Sequence, residues 1–178
     1  FRRVLFRSKE LLRLDFSVGS VCNAKCITCN SGSSTTWAAE DHKFGKNKYK
    51  YSLKPGQDKD QITSIDVSKL EQVYFTGGEP FMSSRPVELL KHIQRTGDIS
   101  QLQVQSNTNG SIKPNDELVD LWRQSKSVEI YFSIDAVGRA FNYIRNPLSW
   151  EEVEQNVNFV KSLGNNIHVK IAPVVFHF

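Results

Sequence analysis

The 178-residue sequence predicts an α/β fold in which parallel strands alternate with helices and curve as part of a barrel. Three observations lead there. Short stretches of apolar–polar alternation are separated by stretches of helical periodicity. The helical stretches are long enough to serve as the crossovers that parallel strands require. The strands end in polar or glycine-rich clusters, as they do where the carboxyl ends of barrel strands build one site.

LLRLDFSV (11 to 18) alternates and runs as a strand into a loop bearing Cys22, Cys26 and Cys29. A polar helix or loop follows through Trp37 and His42. Residues 41 to 66 are rich in Lys, Asp, Gly and Asn, with a Pro-Gly pair at 55 and 56, and read as a solvated connection. EQVYFTGG (71 to 78) is a strand ending in glycines, and PVELLKHIQR (86 to 95) is helical. LQVQSN (102 to 107) is a strand ending in Thr-Asn-Gly, followed by the helix DELVDLWRQS (116 to 125). VEIYFSID (128 to 135) is the next strand. SWEEVEQNVNFVKSL (149 to 163) opens with Ser149 three residues before Glu152, the spacing of a capping box. NIHVKIAPVV (166 to 175) is the last strand, and the sequence stops soon after it without a turn signal, which predicts a fold left open at that end.

Composition narrows the class. With 39% hydrophobic and 24% charged residues the chain is an ordinary globular domain. It has no apolar run of membrane-spanning length and no secretory signal. Three closely spaced cysteines do not form a disulfide framework, which predicts a reducing, cytoplasmic setting. Residues 1–8, FRRVLFRS, look like the translation of a sequencing-library adapter and are set aside, leaving 9–178 as the core domain. Without Arg2, Arg3 and Arg7 the formal charge falls from +4 to +1, and nucleic acid is not indicated.

Cys22, Cys26 and Cys29, at spacings of four and three, can wrap a metal centre from one loop. The loop alone leaves two readings open. With His42 as a fourth ligand it is a zinc site in a binding module. With three thiolates and no fourth it suits a cubane iron–sulfur cluster that keeps one iron free, since such clusters normally take four cysteines.

CNAKCITC has the three-cysteine spacing of radical S-adenosylmethionine (SAM) enzymes, and FTGGEP (75 to 80) resembles that superfamily's second motif. With TNG, SIDA and YIRNP in order after them, the chain most resembles twitch-domain radical SAM proteins, relatives of the SPASM peptide-modifying enzymes. The resemblance implies a partial (βα)6 TIM-like barrel, truncated near the fifth or sixth strand, with the twitch or SPASM-type extension absent. It implies a [4Fe-4S] cluster on Cys22, Cys26 and Cys29, with SAM chelating the fourth iron. Gly77 and Gly78 are expected to let main chain approach the ligand, Glu79 to accept from the SAM ammonium, and Pro80 to stiffen the turn. Thr108 and Asn109 match the turn near SAM. Ser133 resembles a serine near the SAM carboxylate or ribose, Asp135 contacts ribose or caps its loop, and Arg145 corresponds to an arginine that pairs with the SAM carboxylate. The chain departs from many members by carrying Thr28, not an aromatic residue, before the third cysteine. The implied reaction forms a 5′-deoxyadenosyl radical that abstracts hydrogen from a peptide or protein, with a small molecule or nucleotide as the alternative substrate. A flavodoxin- or ferredoxin-type electron donor is implied, and no acid or base acting on substrate is identified.

Overall fold

A computed structural model describes residues 10–46 and 62–175. The adapter reading of residues 1–8 and the Pro-Gly pair at 55 and 56 lie outside the described residues.

Five parallel strands form one sheet, β1 (Arg13–Ser17), β2 (Gln72–Thr76), β3 (Gln103–Thr108), β4 (Ser127–Phe132) and β5 (Ile167–Ile171), and their spatial order is their chain order. A doubly wound sheet reverses its strand order part-way, whereas a barrel adds each strand beside the last. The arrangement is therefore a five-stranded part of a TIM-like barrel. The α-helices that accompany it are α1 (Thr35–Lys43), α2 (Arg85–Thr96), α3 (Asp116–Gln124), α4 (Gly138–Ile144) and α5 (Trp150–Lys161).

The two faces of the sheet differ sharply. Phe16, Val73, Phe75, Val104, Val128, Ile130 and Phe132 are buried together with Leu89, Leu90 and Ile93 of α2, Leu118 and Trp122 of α3, and Val153 and Val160 of α5. Phe16 and Phe75 meet edge-on with ring centroids 6.0 Å apart. On the opposite face the register aligns Asp15, Tyr74, Gln105, Glu129 and His168 in one row across all five strands. Successive strand residues point to opposite faces, so this polar alternation faces the inside of the barrel arc and the apolar set faces the helices. Within the row Glu129 accepts from Tyr131 Oη at 2.7 Å and Gln105 Nε2 at 3.0 Å. These bonds, led by the Tyr131 hydroxyl, hold its carboxyl below the usual range.

Two elements differ from expectation. β5 ends at Ile171, earlier than the alternation suggests. Ala172 N makes the final ladder bond to Phe132 O at 2.8 Å, and Pro173, lacking an N–H, then ends the pairing. Ser149 does cap α5, but its hydroxyl donates to Glu151 at 2.7 Å and makes no side-chain bond to the helix backbone, so the capping box with Glu152 is not formed. No helix among the described residues is long and apolar enough to cross a membrane.

Candidate functional site

The cysteine loop leaves β1 at Ser17 and is gripped from three sides. From α1, Ser34 Oγ donates to Ala24 O at 2.7 Å and Trp37 Nε1 to Cys26 O at 2.9 Å. Thr35 Oγ1 accepts from Cys22 N and donates to Cys22 O. α1 has no buried residue, so these bonds, not an apolar stripe, hold it in place. From the chain around α4, Ile144 O accepts from Ile27 N at 2.9 Å.

The third side is the turn after β2. Gly78 N donates to Gly19 O and Glu79 N to Val21 O, both at 2.7 Å, so this turn extends the β1–β2 pairing along the cysteine loop. A Cβ on Gly77, whose φ is +120°, would stand 2.5 Å from Gly19 O, and one on Gly78 would stand 2.2 Å from Val21 O. The two glycines are thus required by the approach of main chain to the cysteine loop, where the sequence suggested the approach of a ligand. Gly78→Ala is expected to push the two loops apart and to destabilise the fold by about 1–3 kcal/mol, the usual cost of overpacking. A fall in urea midpoint would show it, and an unchanged midpoint would refute it.

Cys22, Cys26 and Cys29 are all free thiols and line one cavity of about 240 Å³. Gly77, Gly78, Thr108, Asn109, Ser133 and Arg145 share its walls, so most residues singled out in the sequence converge there from four strand ends. Thr28 lines it as well. A larger space of about 550 Å³, walled by Ser17, Gly19, Ser20 and Gly32, adjoins it across Ser33, Thr76 and Gly77.

Two expected residues sit behind the wall instead. Glu79 is fully buried, and its carboxylate accepts from Phe81 N (3.1 Å), Thr108 Oγ1 (2.8 Å) and Asn109 N (2.7 Å). It joins the β2 and β3 turns and does not line the cavity, so it is not placed to receive an ammonium group directly. Burial pushes its carboxyl upward, against these three donors. Asp135 likewise turns inward. One oxygen accepts from Val174 N and the other lies 2.7 Å from Arg145 Nη2, which places it as a loop cap and ion-pair partner and not against a ribose. Arg145 is not a surface arginine: its side chain is 8% exposed, and Nη1 donates to Cys26 Sγ at 3.7 Å.

Sequence reading missed Asn107, Thr76 and Ser33 in the cavity wall. Asn107 and Thr76 occupy the inward-facing positions at strand ends, a signal readable from strand alternation once the inner face is known. Asn23 was also missed. It accepts from Asn109 Nδ2 at 2.9 Å and donates to Ser111 Oγ at 2.9 Å, tying the cysteine loop to the β3 turn.

The donor set fits a cluster better than a single ion. Among the described residues no three His, Cys, Asp or Glu side chains are close enough to hold one metal ion, and His42 joins no such group. A four-iron cluster bonds each thiolate to a different iron and wants them spread about one cavity. Two sulfurs also receive N–H donors, Cys22 from Asn109 Nδ2 and Cys26 from Arg145 Nη1, contacts that a thiolate accepts more strongly than a thiol does. Without metal, burial pushes Cys26 up to about 11 and raises Cys22, while Arg145 pulls Cys26 the other way.

A parallel barrel fragment with a cysteine triad at its strand ends defines the class. A family model for the radical SAM superfamily matches residues 16–178, and the chain belongs to that superfamily. Native anSMEcpe with bound AdoMet has the same fold at a TM-score of 0.61 and 17% identity, over 91% of this chain and 43% of that one. SuiB of Streptococcus suis bound to S-adenosylmethionine matches at 0.58 and 16% identity, over 89% of this chain and 33% of that one. The same protein bound to precursor peptide SuiA matches at 0.57 and 17% identity, over 89% and 32%. The chain therefore spans less than half the length of these structures. A search of curated proteins gives no match.

Proposed function

We propose that this domain binds a [4Fe-4S] cluster through Cys22, Cys26 and Cys29 and uses it to cleave SAM reductively, so that hydrogen is abstracted from a peptide or protein. The observation that carries the reading is the convergence of the three thiols on one cavity, with the GGEP turn bonded to the same loop. The chemistry supplied by bound cluster and SAM is one-electron cleavage of the sulfonium to methionine and a 5′-deoxyadenosyl radical.

The chain's own residues bind and orient. Cys22, Cys26 and Cys29 hold the metal. Gly77, Gly78, Thr108, Asn109 and Ser133 offer main-chain and hydroxyl groups to the methionine end of SAM, and Glu79 fixes Thr108 and Asn109 from behind. Thr28 leaves adenine packing to other walls. A flavodoxin- or ferredoxin-type protein in a cytoplasmic setting serves as electron donor. The peptide reading draws on the neighbours, since anSMEcpe is known with Kp18Cys peptide and SuiB with SuiA. The polar inner face of the sheet suits a hydrogen-bonding substrate of that kind.

Anaerobic reconstitution of the full-length protein with iron and sulfide, followed by reduction in the presence of SAM, is expected to yield 5′-deoxyadenosine. Folded protein that loads iron and forms none would overturn the enzymatic reading. Turnover of a small molecule or nucleotide, with no peptide accepted, would replace only the substrate class.

A further inference from the structure

We propose that Arg145 tunes the reduction potential of the cluster through Cys26, and that Asp135 is the positioning residue that makes this possible. The inference rests on the cluster reading above but goes beyond it, because the resemblance assigns Arg145 to SAM.

The guanidinium is committed inside the protein. Nη1 donates to Cys26 Sγ at 3.7 Å and Nη2 lies 2.7 Å from Asp135 Oδ2. Nε is buried, with no acceptor among the described residues. The arginine cannot swing away freely. Its own main chain closes α4 through Arg145 N to Phe141 O, and the preceding carbonyl, Ile144 O, accepts from Ile27 N, one residue beyond Cys26. Asp135 is fixed in turn by Val174 N on Oδ1 at 2.7 Å. Four segments, around positions 26, 135, 145 and 174, thus meet at one buried ion pair, with side chains 8% and 0% exposed.

The pairing with Asp135 has a definite electrostatic consequence. Asp135 offsets part of the cationic charge beside the sulfur, while the guanidinium keeps a directed N–H···S bond. Such bonds draw charge from a thiolate and favour the more electron-rich state of a cluster, which raises its potential. Asn109 Nδ2 makes the parallel contact to Cys22 at 3.7 Å, whereas Cys29 Sγ has instead the carbonyl of Asn30 at 3.8 Å. The three ligands are therefore unequal, and among the described residues the charged donor goes to Cys26.

The test is a redox titration, followed by electron paramagnetic resonance, of the one-electron couple of the reconstituted full-length protein, with dithionite as the electron source. Iron per chain is measured on every sample. Arg145→Lys keeps the charge but loses the planar fork that reaches sulfur and carboxylate together. The double variant R145M/D135N removes the pair without leaving Asp135 buried alone, and Asn keeps an acceptor for Val174 N. Both are expected to retain iron and to shift the potential to more negative values than wild type. An unchanged potential with full iron content in both variants overturns the proposal while leaving the cluster reading intact. A wild-type protein that binds no iron removes the cluster reading, and this inference with it.

Discussion

Replacing Cys26 with alanine is expected to abolish iron–sulfur loading and to lower 5′-deoxyadenosine formation by at least about 100-fold, while leaving the fold in place. Loss of an outer partner alone typically costs about 10–100-fold, and here a ligand itself is removed. With two thiolates left, too few remain to hold a cubane that usually takes four. Cys26 is buried in the core, and deleting its sulfur removes a group of about methyl size, costing about 1 kcal/mol. For a domain of this length that lowers the melting temperature by about 2–4 °C. Main-chain ties do not depend on the thiol: Trp37 Nε1 still finds Cys26 O, and Cys29 N still bonds it at 2.9 Å. Iron per chain, visible absorbance and a thermal melt on the same preparation separate the two effects. A C26A protein that keeps its iron would show that the three cysteines are not the ligand set.

Legibility in the sequence followed how local each cause is. The strands and the helices α2, α3 and α5 were readable because each buries a periodic apolar set, such as Leu89, Leu90 and Ile93 in α2. α1 left helix and loop open because it buries nothing and owes its position to Ser34, Thr35 and Trp37 reaching the cysteine loop. α4 was missed because seven residues with two buried side chains, Phe141 and Ile144, give too short a pattern. The membership of the site was visible as motifs at successive strand ends. What each member touches was not, because that depends on contacts between residues far apart in the chain. Glu79 meets Asn109 across 30 positions, and Arg145 meets Cys26 across 119. Glu79 was accordingly assigned to a ligand when its partners are protein groups, and for Asp135 ribose contact and loop cap both stayed open until Val174 N and Arg145 appeared as its partners.

Glu79→Ala is expected to cost about 3 kcal/mol or more and to disorder the site with it. Three donors, Phe81 N, Thr108 Oγ1 and Asn109 N, would lose their acceptor at once, and a buried polar group left unpaired costs about 1–3 kcal/mol. The damage would reach the metal loop because Asn109, released on its main-chain side, also donates to Asn23 and Cys22. Glu79→Gln separates charge from shape. Its amide can present oxygen to only part of the donor set and would set nitrogen against another donor, so a loss of about 1–3 kcal/mol is expected. The pH dependence then has a definite sign. Burial holds the folded carboxyl above its unfolded value, so protonation favours the fold. That contribution is complete below the unfolded value and is lost as pH rises through the raised folded one. E79Q has no such group to titrate, so its deficit against wild type should be widest at acid pH and narrow as pH rises. Urea midpoints of the two proteins across the range above the usual carboxylate value measure this directly. A gap that widened with pH would mean that the three donors outweigh burial, and that Glu79 is held as an anion from the outset.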